Sequence, residues 1–124
     1  MANNCANYID VEGIDSDVEL FMDKFNDELE WLDDLYIDKE HKTISFITKW
    51  SPEIEEVKAM AAGGTLYINY FYEELGSDVY GVAIIGPEGE CREVDLSNEE
   101  IRRFTSMDDD NKYELMDDYL RSKI

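Results

Sequence analysis

Glu19, Asp23 and Asp27 recur at i, i+4 and i+8, and Glu30 lies three residues further on. On a helix this spacing makes one row of carboxylates, with neighbours about 5–6 Å apart. Asp17 and Glu28 widen the row, and Asp33 and Asp34 continue the acidic run beyond it. Like charges at that spacing destabilise an isolated helix by about 0.2–0.5 kcal/mol per pair. Core burial can offset that cost but does not explain it. A regular line of anions does have a chemistry: it imitates the phosphates of a nucleic-acid strand and fits a cationic groove built to hold them. The alternative is a solvated acidic face with no partner. These eight residues, Asp17, Glu19, Asp23, Asp27, Glu28, Glu30, Asp33 and Asp34, are the candidate partner-binding set.

Other chemistry finds little support in the spacing. His41, the one histidine, falls in a polar stretch with no nearby nucleophile or second ligand. Asp108-Asp109-Asp110-Asn111-Lys112 resembles a calcium loop, but Lys112 stands where the third ligand belongs and no glycine follows it. Asp15-Ser16-Asp17 is explained by a helix start, where the macrodipole favours anions. Cys5 and Cys91 are too few for a disulfide scaffold or a four-ligand zinc site, and both are expected to pack as small hydrophobes in strands. No glycine-rich run has phosphate-loop spacing, and no G-x-S-x-G or Cys-His pattern supplies a nucleophile. The expectation is a non-enzymatic protein with no catalytic residues, no metal and no cofactor.

Charge indicates a class of partner. The 124 residues carry 31 acidic and 11 basic side chains, a net charge of −20, which exceeds what solubility asks of a small domain. Residues 1–38 hold twelve carboxylates against Lys24 alone. Such a field repels DNA, RNA and anionic membranes and attracts the proteins that bind them. Direct nucleic-acid binding is therefore not expected, and a basic nucleic-acid-binding protein is. The opening MANNCANYID lacks the basic and apolar parts of a signal peptide, and no apolar stretch is long enough to span a bilayer. A folded, cytoplasmic protein is expected, because 44 % hydrophobic content is too high for disorder.

The elements that must position the acidic row are read from hydrophobic period. Residues 4–11 form a strand closed by Gly13. Ser16 with Glu19 makes a capping-box pattern ahead of Val18, Phe21, Met22, Phe25 and Leu29 at helical spacing, which predicts a helix over 16–29. Leu35-Tyr36-Ile37 can pair with residues 44–48 across the turn 39–42, with Ile44, Phe46, Thr48 and Trp50 sharing a core-facing side. Ser51-Pro52 starts a second helix whose stripe is Ile54, Val57, Met60 and Ala61, ending at Gly63-Gly64. Strands follow at 65–72, 79–85 and about 91–94. Ser97 with Glu100 is a second capping box, leading into Ile101 and Phe104. Tyr113, Met116, Leu120 and Ile124 form a last stripe, carried by one bent helix or two short ones. The order β-α-β-β-α-β, with added strands and a helical tail, predicts an α+β protein with two helices on one face of an antiparallel sheet. Residues 1–96 are the main domain and 97–124 a helical extension packed on it.

Thr48-Lys49-Trp50-Ser51-Pro52, followed by Tyr72-Glu73-Glu74-Leu75-Gly76-Ser77-Asp78-Val79-Tyr80-Gly81, resembles the YubB ferredoxin-like, or Api92-like, family. Members carry T-K-W-x-P before a helix and Y-E-E/P-x-G-x-x-F-x-G at a later hairpin. Asn3-Asn4-Cys5-Ala6-Asn7 resembles their N-W-C-x-N opening, with Asn4 in place of tryptophan. The likeness covers about residues 3–90. It implies a ferredoxin-like sandwich and a home in phages, plasmids and other mobile elements, and brings no accepted enzymatic activity.

Two functional expectations follow. The first is a mobile-element protein that mimics phosphate charge and blocks a host nucleic-acid-binding protein, such as a restriction or CRISPR nuclease. The second is a structural or regulatory interaction module recognised through its aromatic hairpin at 65–81, with the acid serving solubility. Tyr67, Tyr70, Tyr72 and Trp50 are expected in the core or on such a protein-binding face, since a base-stacking surface needs lysines and arginines beside it.

Overall fold

The structure, a computed structural model, describes residues 4–49, 52–61, 64–74 and 79–124. The chain runs β1 (Asn4–Glu12), α1 (Asp15–Leu29), β2 (Asp33–Asp38), β3 (Thr43–Lys49), α2 (Ile54–Ala61), β4 (Tyr67–Glu74), β5 (Val79–Ile85), β6 (Cys91–Asp95), α3 (Asn98–Thr105) and α4 (Lys112–Ser122). The six strands form one sheet in the order β2-β3-β1-β4-β5-β6, and every neighbouring pair is antiparallel. The first four strands with α1 and α2 make a ferredoxin-like unit, which β5 and β6 extend past β4. Trp50, Ser51, Ala62, Gly63 and residues 75–78, on which several expectations fell, lie outside the described residues.

Period explains the layers. Cys5, Ile9, Val11, Ile44, Phe46, Ile68, Tyr70 and Tyr72 alternate onto one side of the sheet and are buried with Val18, Phe21, Met22, Phe25 and Leu29 of α1 and with Ile54, Val57 and Ala61 of α2. A chain of rings crosses this core, Phe21, Phe25, Phe46, Tyr70 and Tyr72, with successive centroids 6.0, 5.4, 6.0 and 6.3 Å apart. The tail forms two helices rather than one bent helix, and they pack on the opposite face. Ile101, Met116 and Leu120 bury against Val82 and Leu96, with Phe71, Tyr80, Ile84 and Val94 beside them. Tyr113 and Ile124, expected in that stripe, are exposed.

Caps tie the layers together. Ser97 makes the full capping box with Glu100, and the Lys123 ammonium at the end of α4 lies 2.8 Å from the same carboxylate. That joins the start of α3 to the end of α4. The box expected at Ser16 does not form. α1 begins one residue earlier, with Ile14 as its N-cap and no side-chain cap. Thr65 takes over instead: its hydroxyl accepts from the Ile14 N–H at 3.2 Å, while its own N–H and hydroxyl donate to Asp17 at 3.1 and 2.8 Å. Cys5 is buried as expected, but Cys91 is exposed, because β6 is an edge strand. Among the described residues no helix is long and apolar enough to cross a membrane.

Candidate functional site

The 3.6-residue period sends the apolar stripe of α1 into the core and its carboxylates outward, but their surroundings differ along the helix. At the N-terminal half the β2–β3 turn supplies cations. Lys39 Nζ lies 2.7 Å from Asp23 and 4.0 Å from Glu19, and Lys42 Nζ lies 3.0 Å from Asp15. The Asp23 carboxylate accepts from Lys39 and raises the pKa of its ammonium. These pairs are solvent-exposed, so they add little to stability. Asp17 is half-buried and engaged with Thr65, so it holds the fold rather than extending the row.

At the C-terminal end the hairpin supplies no cation, and Lys24, one turn back, makes no ion pair with the helix among the described residues. Asp27 and Glu28 lie in the last turn and Glu30 is the C-cap; all three are exposed, and the turn contains no basic residue. None of the three is in an ion pair among the described residues. The helix macrodipole disfavours anions at this pole. Asp34 is exposed nearby in a β2 irregularity, where its φ of 52° is one an aspartate tolerates. The extra residue there sets Asp33 opposite Ile47, on the side of the sheet away from α1. Of the eight candidates, Asp27, Glu28 and Glu30 thus form an open cluster, Glu19 and Asp23 a paired one, and Asp17 and Asp33 point to other business.

The residues that carried the family likeness converge elsewhere, inside the molecule. Asn7, 3 % exposed, donates to the Cys5 carbonyl and the Thr48 hydroxyl, each at 2.9 Å. Its Oδ1 accepts from the Tyr70 hydroxyl at 2.7 Å, and that hydroxyl accepts from the Glu53 N–H at 2.9 Å, next to the start of α2. Burial pushes the Tyr70 hydroxyl and the Cys5 thiol above their usual pKa ranges. The spacing of Asn7, Thr48 and Tyr70 gives no local sign of this network, because it spans three strands. Tyr72 and Gly81 are also partners, directly opposite across β4 and β5. A Cβ on Gly81 would stand 2.6 Å from the Tyr72 hydroxyl oxygen, so the ring can cross β5 toward Glu93 only over a glycine.

Tyr70 and Tyr72 are therefore core residues, and Tyr67 is exposed. His41 is exposed in its turn, with Nδ1 2.7 Å from an Asp38 oxygen, a contact that lowers the pKa of Asp38. In the α3–α4 loop Asp109 accepts from the Asn111 N–H at 2.8 Å, a turn-forming bond. Among the described residues no three His, Cys, Asp or Glu side chains gather as metal ligands.

No curated protein and no solved structure matches the chain. The family described as "Ferredoxin-like domain in Api92-like protein" matches residues 30–117, from the end of α1 into α4. With that match over most of its length, and with the ferredoxin-like order of its strands, the chain belongs to the family of the ferredoxin-like domain in Api92-like protein.

Proposed function

We propose that this protein is a non-enzymatic, acidic inhibitor from a mobile element, acting in the host cytoplasm on a basic nucleic-acid-binding protein such as a restriction or CRISPR nuclease. The observation that carries the reading is the exposed trio Asp27, Glu28 and Glu30, in no ion pair among the described residues and set at the helix pole that disfavours anions. From Glu19 to Glu30 the helix rises about 16 Å, comparable with about five phosphate steps along one strand. Cations of a partner engage the open trio first. They then replace Lys39 on Glu19 and Asp23 at little cost, since those pairs are exposed.

The test is affinity capture from host lysate at low salt, with the wild type and an Asp27→Lys, Glu28→Lys, Glu30→Lys variant as baits. A basic protein should be retained by the wild type, released by added duplex DNA or RNA, and absent from the variant. Equal capture by both baits, or a partner that nucleic acid does not release, refutes the reading.

A further inference from the structure

α3 and α4 cover only part of the second sheet face, and beside α4 they leave a groove of about 260 Å3. Its floor is made of small residues, Ala6 and Ser45, and its walls of Tyr8, Phe71 and Tyr80. Strand register explains the shape. Tyr8 stands opposite both Ser45 and Phe71, and Glu73 stands opposite both Ala6 and Tyr80, so one carboxylate is set among rings above a low floor. Tyr8 is 46 % exposed, whereas Glu73 is half-buried. Burial, with Asp117 nearby, raises the Glu73 pKa. The cation at the margin, Arg121, is already engaged: Nε lies 2.8 Å from Asp117, and its guanidinium stacks 4.5 Å from the Phe71 centroid.

We infer that this groove receives an arginine side chain from the basic partner, the guanidinium stacking on Tyr8 and Tyr80 and pairing with Glu73. Aromatic faces attract cations, and a planar guanidinium combines stacking with carboxylate pairing as an ammonium does not. Arg121 shows the same recognition within the protein, with Phe71 as the ring and Asp117 as the acid. The groove is smaller than the usual ligand pocket, which suits one long side chain. The inference rests on the proposed basic partner for the choice of occupant, and it adds a contact on the face away from α1.

The experiment is an amide-resonance titration of the full chain with the capped peptide Gly-Arg-Gly and with its citrulline counterpart, a neutral isostere. Tyr8, Phe71, Glu73 and Tyr80 should shift saturably with the arginine peptide and not with citrulline. Glu73→Gln and Tyr8→Ala should each weaken binding at least about fivefold while retaining a dispersed spectrum. The α1 triple-lysine variant should titrate like the wild type, so a failed groove and a failed acidic helix are distinguished. Equal binding of citrulline, shifts confined to α1, or groove shifts that track protein concentration and so signal a second copy would each overturn the inference.

Discussion

Replacing Asp27, Glu28 and Glu30 by lysine should make the protein more stable. Each site lies in the last turn or at the C-cap of α1, where no basic side chain is present. An anion there is unfavourable and a cation favourable, by about 0.3–1 kcal/mol per site. Three sites give about 1–3 kcal/mol, less about 1 kcal/mol for the attraction of Lys24 to Asp27 and Glu28 that is lost and the repulsion that replaces it. A net gain of about 1 kcal/mol corresponds to a rise in melting temperature of about 3–6 °C for a domain of this size. Thermal unfolding by circular dichroism at low salt measures it, and added salt should shrink the difference. An unchanged or lower melting temperature would mean that the carboxylates are balanced by contacts within the fold. The argument that folding alone does not account for them would then fail.

Tyr70→Phe removes the bonds from Tyr70 to Asn7 and from Glu53 to Tyr70, and should cost about 2–4 kcal/mol in urea unfolding, with clear non-additivity when combined with Asn7→Ala. Gly81→Ala should destabilise by about 1–3 kcal/mol, because the new Cβ meets the Tyr72 ring; Tyr72→Leu should relieve most of the clash, as a double-mutant unfolding series would show. Ser97→Ala should cost about 1 kcal/mol and Ser16→Ala close to none, since only the first serine caps a helix. Hydrogen bonds from Lys123, then Tyr119 and Ser97, hold Glu100 at a pKa of about 2, below its unfolded value. Its contribution to stability is therefore present above about pH 4.3 and lost as pH falls toward about 2, so Glu100→Gln should flatten that part of the pH–stability profile.

Much of the fold was legible because it depends on local period. The α1 stripe from Val18 to Leu29 was buried as its spacing required, and the alternation Ile44, Phe46, Thr48 placed β3 correctly. Two-sided burial of β5 was not anticipated, because the expectation placed helices on one face of the sheet; Tyr80, Val82 and Ile84 meet α3 and α4 on the other. What stayed hidden depends on distant pairing. The start of α1 is tied down by Thr65, some fifty positions along the chain, and no side chain caps it, so the local capping box expected at Ser16 does not form. One extra residue in β2 turned Asp33 away from α1, which no charge count reveals. The exposure of Asp27, Glu28 and Glu30 followed from helical spacing; the pairing of Glu19 and Asp23 with Lys39 needed the hairpin's position.

The central claim is that the α1 carboxylates compete for a cationic nucleic-acid site, and the salt dependence of partner binding tests it most directly. Affinity for the captured protein, measured by calorimetry between about 50 and 200 mM salt, should fall on the order of tenfold for the wild type. Saturating duplex DNA or RNA should abolish the binding. Affinity that does not change with salt, or a partner that binds protein and nucleic acid together, would contradict the account.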